Sequence, residues 1–256
     1  MKVRGSIVLM AVAVALLALG VPGYASKTDS RIESSAKKSY LFTTYLQADD
    51  IKIRSTDGAV ILTGTVSEES HKSIAQETVA GLPGVKSVDN RLEVKDAPSN
   101  DSDAWLRDKV KVTLLFHRSV SVDTTEVGVQ YGVVTLRGNA TSQAQKDLTT
   151  EYAKDVEGVK DVINEMAVVK PAKKTRTAGE KIDDASITAQ VKMTLLYHRS
   201  TSAISTKVDT KRGAVTLHGK AGSAAELNLA TKLAGDVKGV KSVNNRMTVE
   251  KPGPKT

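Results

Sequence analysis

The sequence has no cysteine in 256 residues. That absence excludes disulfide scaffolds, thiolate zinc sites, iron–sulfur clusters and cysteine nucleophiles. It also removes the residue a lipobox would acylate, so no covalent lipid anchor is available there. Aromatic residues are scarce, with one Trp, six Tyr and two Phe. There are four histidines, His71, His117, His198 and His218, and no His-x-His or His-x-x-x-His pair that would start a metal site. No Gly-x-Ser-x-Gly elbow, phosphate loop or dinucleotide fingerprint occurs. These absences point to a protein that is not an enzyme, with no cofactor, no metal and no small-molecule substrate. What is present is an ordinary globular composition, 40% apolar and 26% charged. It argues against a disordered chain and against a polytopic membrane protein.

The one long apolar run covers 7–19, preceded by Lys2 and Arg4 and followed by Gly23-Tyr24-Ala25. A basic start, a short apolar stretch and small residues at −3 and −1 have the form of a signal peptide. Spanning a bilayer takes roughly 20 apolar residues, so the run is short for a permanent anchor. The expectation is residues 1–25 as a signal, cleavage after Ala25 and a periplasmic mature chain; retention as an anchor is the alternative.

The rest is one unit repeated three times. Gly58, Gly64, Gly84 and Asn90 recur 74 residues later as Gly132, Gly138, Gly158 and Asn164. They recur again after 81 residues as Gly213, Gly219, Gly239 and Asn245. Spacing inside the unit never changes, so the seven added residues belong to a linker, which falls in a Lys- and Thr-rich stretch. The units read as 31–96, 103–170 and 182–251, with a basic linker at 171–181. A period this long describes tandem domains more naturally than a solenoid.

Within each unit the periodicity changes. Leu106, Val110 and Leu114, matched by Ile187, Val191 and Leu195, mark one stripe of a helix; Ile32, Ala36 and Tyr40 keep it weakly in the first unit. A short β run then reaches Asp57-Gly58, Tyr131-Gly132 or Arg212-Gly213, a hairpin turn. The return strand ends at Gly64, Gly138 or Gly219. A second helix carries the columns Ile74/Leu148/Leu229, Val79/Ala153/Ala234 and Leu82/Val156/Val237 on one face. Ser223-x-x-Glu226 has the form of a capping box. The helix stops before Gly84, Gly158 or Gly239, each followed by a Val placed for the closing contact of a C-cap. An alternating strand, Val88, Asn90, Leu92 and Val94 in the first unit, closes the pattern. The expected fold class is α+β: three α-β-β-α-β domains, each with two helices on one face of a three-stranded sheet. The nine glycines are expected in turn and cap roles.

Leu62-Thr63-Gly64, then Gly84-Val85-Lys86-Ser87-Val88-Asp89-Asn90, resembles the BON domain of bacterial osmotically inducible and nodulation-type proteins. The signature is intact in all three units, as in Gly158-Val159-Lys160-Asp161-Val162-Ile163-Asn164. The first helix of unit 1 diverges, and three copies exceed the two common in periplasmic relatives. The resemblance implies a non-enzymatic envelope protein tied to osmotic or envelope stress, one that binds phospholipid surfaces or protects exported proteins.

His117-Arg118 and His198-Arg199 occupy the same place in units 2 and 3, while unit 1 has Thr43-Thr44 there. The expected role is structural: a positive charge at the end of the first helix, complementing that helix's dipole. Asp49-Asp50 and Asp183-Asp184 are expected as solvated or helix-starting acids.

Charge is unevenly spread. Residues 31–96 carry net −1, 101–170 net −2 and 171–256 net +9. In an exported protein such a basic third meets anionic phospholipid or other envelope polyanions, not nucleic acid. Single-strand binding would also want stacking aromatics, of which unit 3 has only Tyr197. The candidate lipid-binding cations are Lys173, Lys174, Arg176, Lys192, Arg199, Lys207, Lys211 and Arg212. The alternative expectation is a holdase-type chaperone or structural partner for exported clients.

Overall fold

The computed structural model describes residues 27–95, 102–120, 125–169, 181–201 and 206–250. The signal segment with its cleavage after Ala25, and Lys173, Lys174 and Arg176 of the linker, lie outside the described residues.

Unit 1 runs α1 (Lys27–Lys38), α2 (Tyr40–Thr44), β1 (Asp50–Thr56), β2 (Ala59–Val66), α3 (Glu69–Ala80) and β3 (Ser87–Val94). Unit 2 runs α4 (Asp103–Phe116), β4 (Thr125–Gln130), β5 (Val133–Ala140), α5 (Gln143–Lys154), β6 (Asp161–Asn164) and β7 (Ala167–Val168). Unit 3 repeats this as α6 (Asp184–Tyr197), β8 (Thr206–Lys211), β9 (Ala214–Ala221), α7 (Ala224–Gly235), β10 (Ser242–Asn245) and β11 (Thr248–Val249). In each unit the first two strands form an antiparallel hairpin and the last lies parallel to the second, on its other side. This is the α+β unit expected, with two departures. The first helix of unit 1 breaks at Ser39, whose hydroxyl donates to Ala36 O at 2.8 Å, so Tyr40 starts a separate short helix. The last strand, continuous in unit 1, is interrupted after Asn164 and after Asn245.

The repeated residues have clear local work. The hairpin turns place both central residues at positive φ: Asp57 and Gly58, Tyr131 and Gly132, Arg212 and Gly213. That is the geometry whose twist matches the flanking strands. Gly64 is required by close approach: a Cβ there would sit 1.9 Å from the Asp50 carbonyl oxygen. Asn90, Asn164 and Asn245 tie the last strand to the second helix. Each donates to a helix carbonyl (Lys72, Lys146 or Leu227) and accepts the backbone N–H two residues on.

The three units do not sit as separate beads. Units 2 and 3 each have their own core, built on Leu106, Val110 and Leu114 and on Ile187, Val191 and Leu195. The core of unit 1, however, extends onto Val112 and Phe116 of α4 and onto Ala185, Ala189, Met193 and Tyr197 of α6. Helix α6 is therefore buried on opposite faces, with 11 of its 14 residues buried. Such a helix sits in the interior because it has no polar face to offer water.

Candidate functional site

Two kinds of site emerge: the turn ends of the three units and the seam between units 2 and 3.

At each turn end, an aspartate in the first turn of the first helix holds the β-hairpin. Asp184 accepts from the backbone N–H groups of Arg212 and Gly213 at 2.6 and 2.8 Å. Asp103 does the same for Tyr131 and Gly132, and Asp29 for Asp57 and Gly58. The charged acceptor satisfies two turn donors at once and steadies a non-glycine residue in the left-handed region. Of the two settings expected for Asp183 and Asp184, solvated or helix-starting, the structure has the second. Asp183 caps α6 through Ser186 and also accepts the Tyr40 backbone N–H of unit 1 at 2.7 Å. The signal was present in the sequence, because Asp29, Asp103 and Asp184 recur at the same 74- and 81-residue steps as the glycines. Asp49 likewise accepts from the Ser67 N–H and pairs with His71 at 2.6 Å.

The clamp presents a different chemistry in each unit. Unit 1 exposes Asp57. In unit 2, Tyr131 is 79% exposed beside a cleft of about 390 Å³ lined by Trp105, Lys109 and Lys160. Lys109 Nζ lies 5.9 Å from the Trp105 ring centre, and Lys160 donates to Tyr131 O at 3.0 Å. In unit 3 the turn is cationic: Lys211, Arg212 and Lys241 are all exposed, the Lys241 stem lying against Gly213. Lys207 projects from β8 and pairs with Asp209 at 3.3 Å, both well exposed, so this contact gives little binding energy.

Lys192 and Arg199, grouped with these cations in the sequence, are engaged elsewhere. Lys192 pairs with Glu77 of unit 1 at 2.7 Å. Arg199 donates to the carbonyls of Lys154, Val156 and Val159 at the end of α5. Arg118 does the reciprocal thing, donating to Gly235, Val237 and Val240 O at the end of α7. The cations thus complement helix C termini, but those of the neighbouring unit, not their own helices as the sequence suggested. Backbone bridges pair His117 with Val237 and Val156 with His198, giving the seam a two-fold character.

Its two histidines differ in setting. His117 is fully buried, stacks on Tyr152 with ring centres 3.8 Å apart, and shares a hydrogen bond with Asp236 at 3.1 Å. Burial alone would raise the Asp236 pKa, but hydrogen bonds from His117, Ser119 and Tyr152 outweigh it and hold the carboxyl below its usual range. Burial raises the Tyr152 phenol, reinforced by its bond to Asp236. Burial lowers the His198 imidazole, and Asp155, 3.6 Å away, only partly opposes this. Among the described residues, no three His, Asp or Glu side chains gather as metal ligands, and no helix is long and apolar enough to cross a membrane.

A family model described as the BON domain matches residues 28–96, 102–170 and 183–251. The chain is 32% identical over 148 residues to osmotically-inducible protein Y of Escherichia coli strain K12, covering 54% of this chain and 71% of that protein. It is 33% identical over 112 residues to outer membrane lipoprotein DolP of Haemophilus influenzae, covering 43% of this chain and 58% of that protein. It is 29% identical over 166 residues to a 21 kDa hemolysin of Actinobacillus pleuropneumoniae, covering 62% and 73%.

Proposed function

The chain belongs to the BON domain family, with three copies in tandem, and we propose that it is a non-enzymatic protein of the bacterial envelope that binds anionic phospholipid surfaces peripherally. Relatives named as osmotically inducible and as an outer membrane lipoprotein support the envelope and osmotic-stress setting. The signature residues support a non-enzymatic role, because the glycines and asparagines serve turns and strand ties.

One observation carries the membrane reading. Lys211, Arg212 and Lys241 stand exposed around one rigid turn, clamped by Asp184. Near an anionic bilayer each such cation contributes on the order of 1 kcal/mol, enough together for reversible recruitment without an anchor. The exposed Tyr131 of unit 2 adds an amphipathic ring of the kind that sits at a headgroup boundary.

Vesicle sedimentation of residues 26–256 tests this, with phosphatidylglycerol and phosphatidylcholine at low and high salt. Binding is expected only with the anionic lipid and less at high salt, and Lys211→Ala with Arg212→Ala should weaken it. Salt-insensitive binding, or equal binding to the neutral lipid, would reject the electrostatic model.

A second reading, holding of exported clients, draws on β3. Among the described residues β3 pairs only with β2, so an eight-residue strand edge is open to an extended chain.

A further inference from the structure

We propose that unit 1 is a reversible cover over a second membrane-binding face, built jointly by α4 and α6, and that Glu68 and Glu77 occupy its lysines in place of lipid phosphates. The inference rests on the reading of this protein as a binder of anionic lipid.

The face is an apolar surplus. Ile187, Val191 and Leu195 suffice to complete the core of unit 3, yet α6 carries a second apolar stripe on its opposite side. That stripe includes Met193 and Tyr197, and α4 adds Val112 and Phe116, all buried in the cluster that centres on unit 1. Lys111 of α4 and Lys192 of α6 flank the stripe. Apolar and aromatic side chains bordered by lysines on paired helices are the composition of an interfacial membrane helix.

Unit 1 meets each lysine with a carboxylate from one end or the other of α3. Glu68 lies 3.2 Å from Lys111, and Glu77 lies 2.7 Å from Lys192. An anionic headgroup would compete for the same two cations.

The junction of unit 1 with its neighbours is built to part before the seam between units 2 and 3. Units 2 and 3 are joined by four backbone–backbone hydrogen bonds, from Arg118, Glu157, Arg199 and Lys238. Unit 1 meets the other two units through contacts that use side chains, among them the two ion pairs, Tyr40 N–H on Asp183 and Leu41 N–H on Ser186. Both ion pairs are partly exposed and are weakened by salt. The packing is also incomplete, with a cleft of about 310 Å³ between Gln76, Glu77 and Met193. Asp108 of α4 is 2% exposed and feels the like charge of Glu68. Burial and that like charge both raise its pKa, a cost that opening relieves.

The absence of cysteine permits a direct test. A Cβ at Gly81, which has an ordinary φ of −79°, would lie 3.5 Å from the Ala185 Cβ. That is within the range of about 3.5–4.5 Å that a disulfide spans. The full chain carrying Gly81→Cys and Ala185→Cys is then assayed oxidised and reduced on phosphatidylglycerol vesicles. The reduced form is expected to bind about tenfold more tightly than the locked form, since lipid that engages only the open state can shift only what is free to open. Equal binding by the two forms would overturn the cover and leave the membrane reading standing. No binding by either form overturns the membrane reading itself, and the cover with it. A second variant, Glu68→Gln with Glu77→Gln, reports opening without lipid. Trp105, the only tryptophan, packs against the core of unit 1 and edge-on to Tyr197, so its acrylamide quenching should rise in this variant and fall back when the disulfide is added. Unchanged quenching would overturn an openable junction between unit 1 and its neighbours. The locked background also controls for the added net charge.

Discussion

Arg118 and Arg199 stand 81 positions apart and cross the same seam in opposite directions. Each donates to three carbonyls at the end of the other unit's second helix. A guanidinium suits this because its fork of N–H donors can serve several acceptors at once, which an ammonium's point charge does less well.

Arg118→Ala should therefore destabilise the joint of units 2 and 3 by about 1.5–3 kcal/mol, the range for hydrogen bonds from a charged donor. Arg118→Lys should recover less than half of that loss. Urea unfolding of the full chain measures both. Full recovery by lysine would mean that charge alone, not the fork, holds the seam.

Asp184→Ala removes the acceptor of two turn donors and should cost about 1–3 kcal/mol in the stability of unit 3. Amide exchange at Arg212 and Gly213 should accelerate, while the equivalent turns at Tyr131 and Asp57 stay protected. Acceleration at all three turns would show that the clamp acts globally.

Gly158 and Gly239 hold the same place with φ of +97° and +87°, yet their surroundings differ. A Cβ at Gly239 meets two Ile187 carbons at 3.0 Å, whereas at Gly158 the nearest contact is Leu106 at 3.4 Å. Both alanine variants pay the left-handed backbone penalty of about 1 kcal/mol or more. Gly239→Ala should cost more than Gly158→Ala by thermal denaturation, because Ile187 is core and yields little. The reverse order would contradict the packing argument.

The pH dependence of the seam follows from His198. Its pKa lies below the ordinary 6.5 because burial disfavours the imidazolium. A depressed histidine pKa means the folded state binds fewer protons than the unfolded chain near pH 6. Its contribution is therefore intact above about pH 6.5 and is lost as pH falls. Asp236, held below its usual range, loses its contribution only in stronger acid. Asp108, raised by burial and Glu68, works the other way and gains as pH falls. Between pH 7 and 5, His198→Gln should flatten the decline in denaturation midpoint. A slope identical to the parent protein would exclude His198 as its source.

The repeat, the α-β-β-α-β order and the turn positions were legible in the sequence because each is set locally. Gly64 and Gly239 mark backbone conformations that other residues resist, and Ile187, Val191 and Leu195 mark a face by spacing alone. The charge of Lys211 and Arg212 was legible too, since a hairpin turn carries its side chains outward. Only the tertiary structure decided what lies between units. Lys192 and Arg199 read as candidates for lipid until Glu77 and the end of α5 met them, 115 and about 40 residues away. The second apolar stripe of α6 was present in the sequence, but a stripe does not name its partner. Periodicity records which way a side chain points, whereas the surface it meets depends on how three separately specified units close on one another.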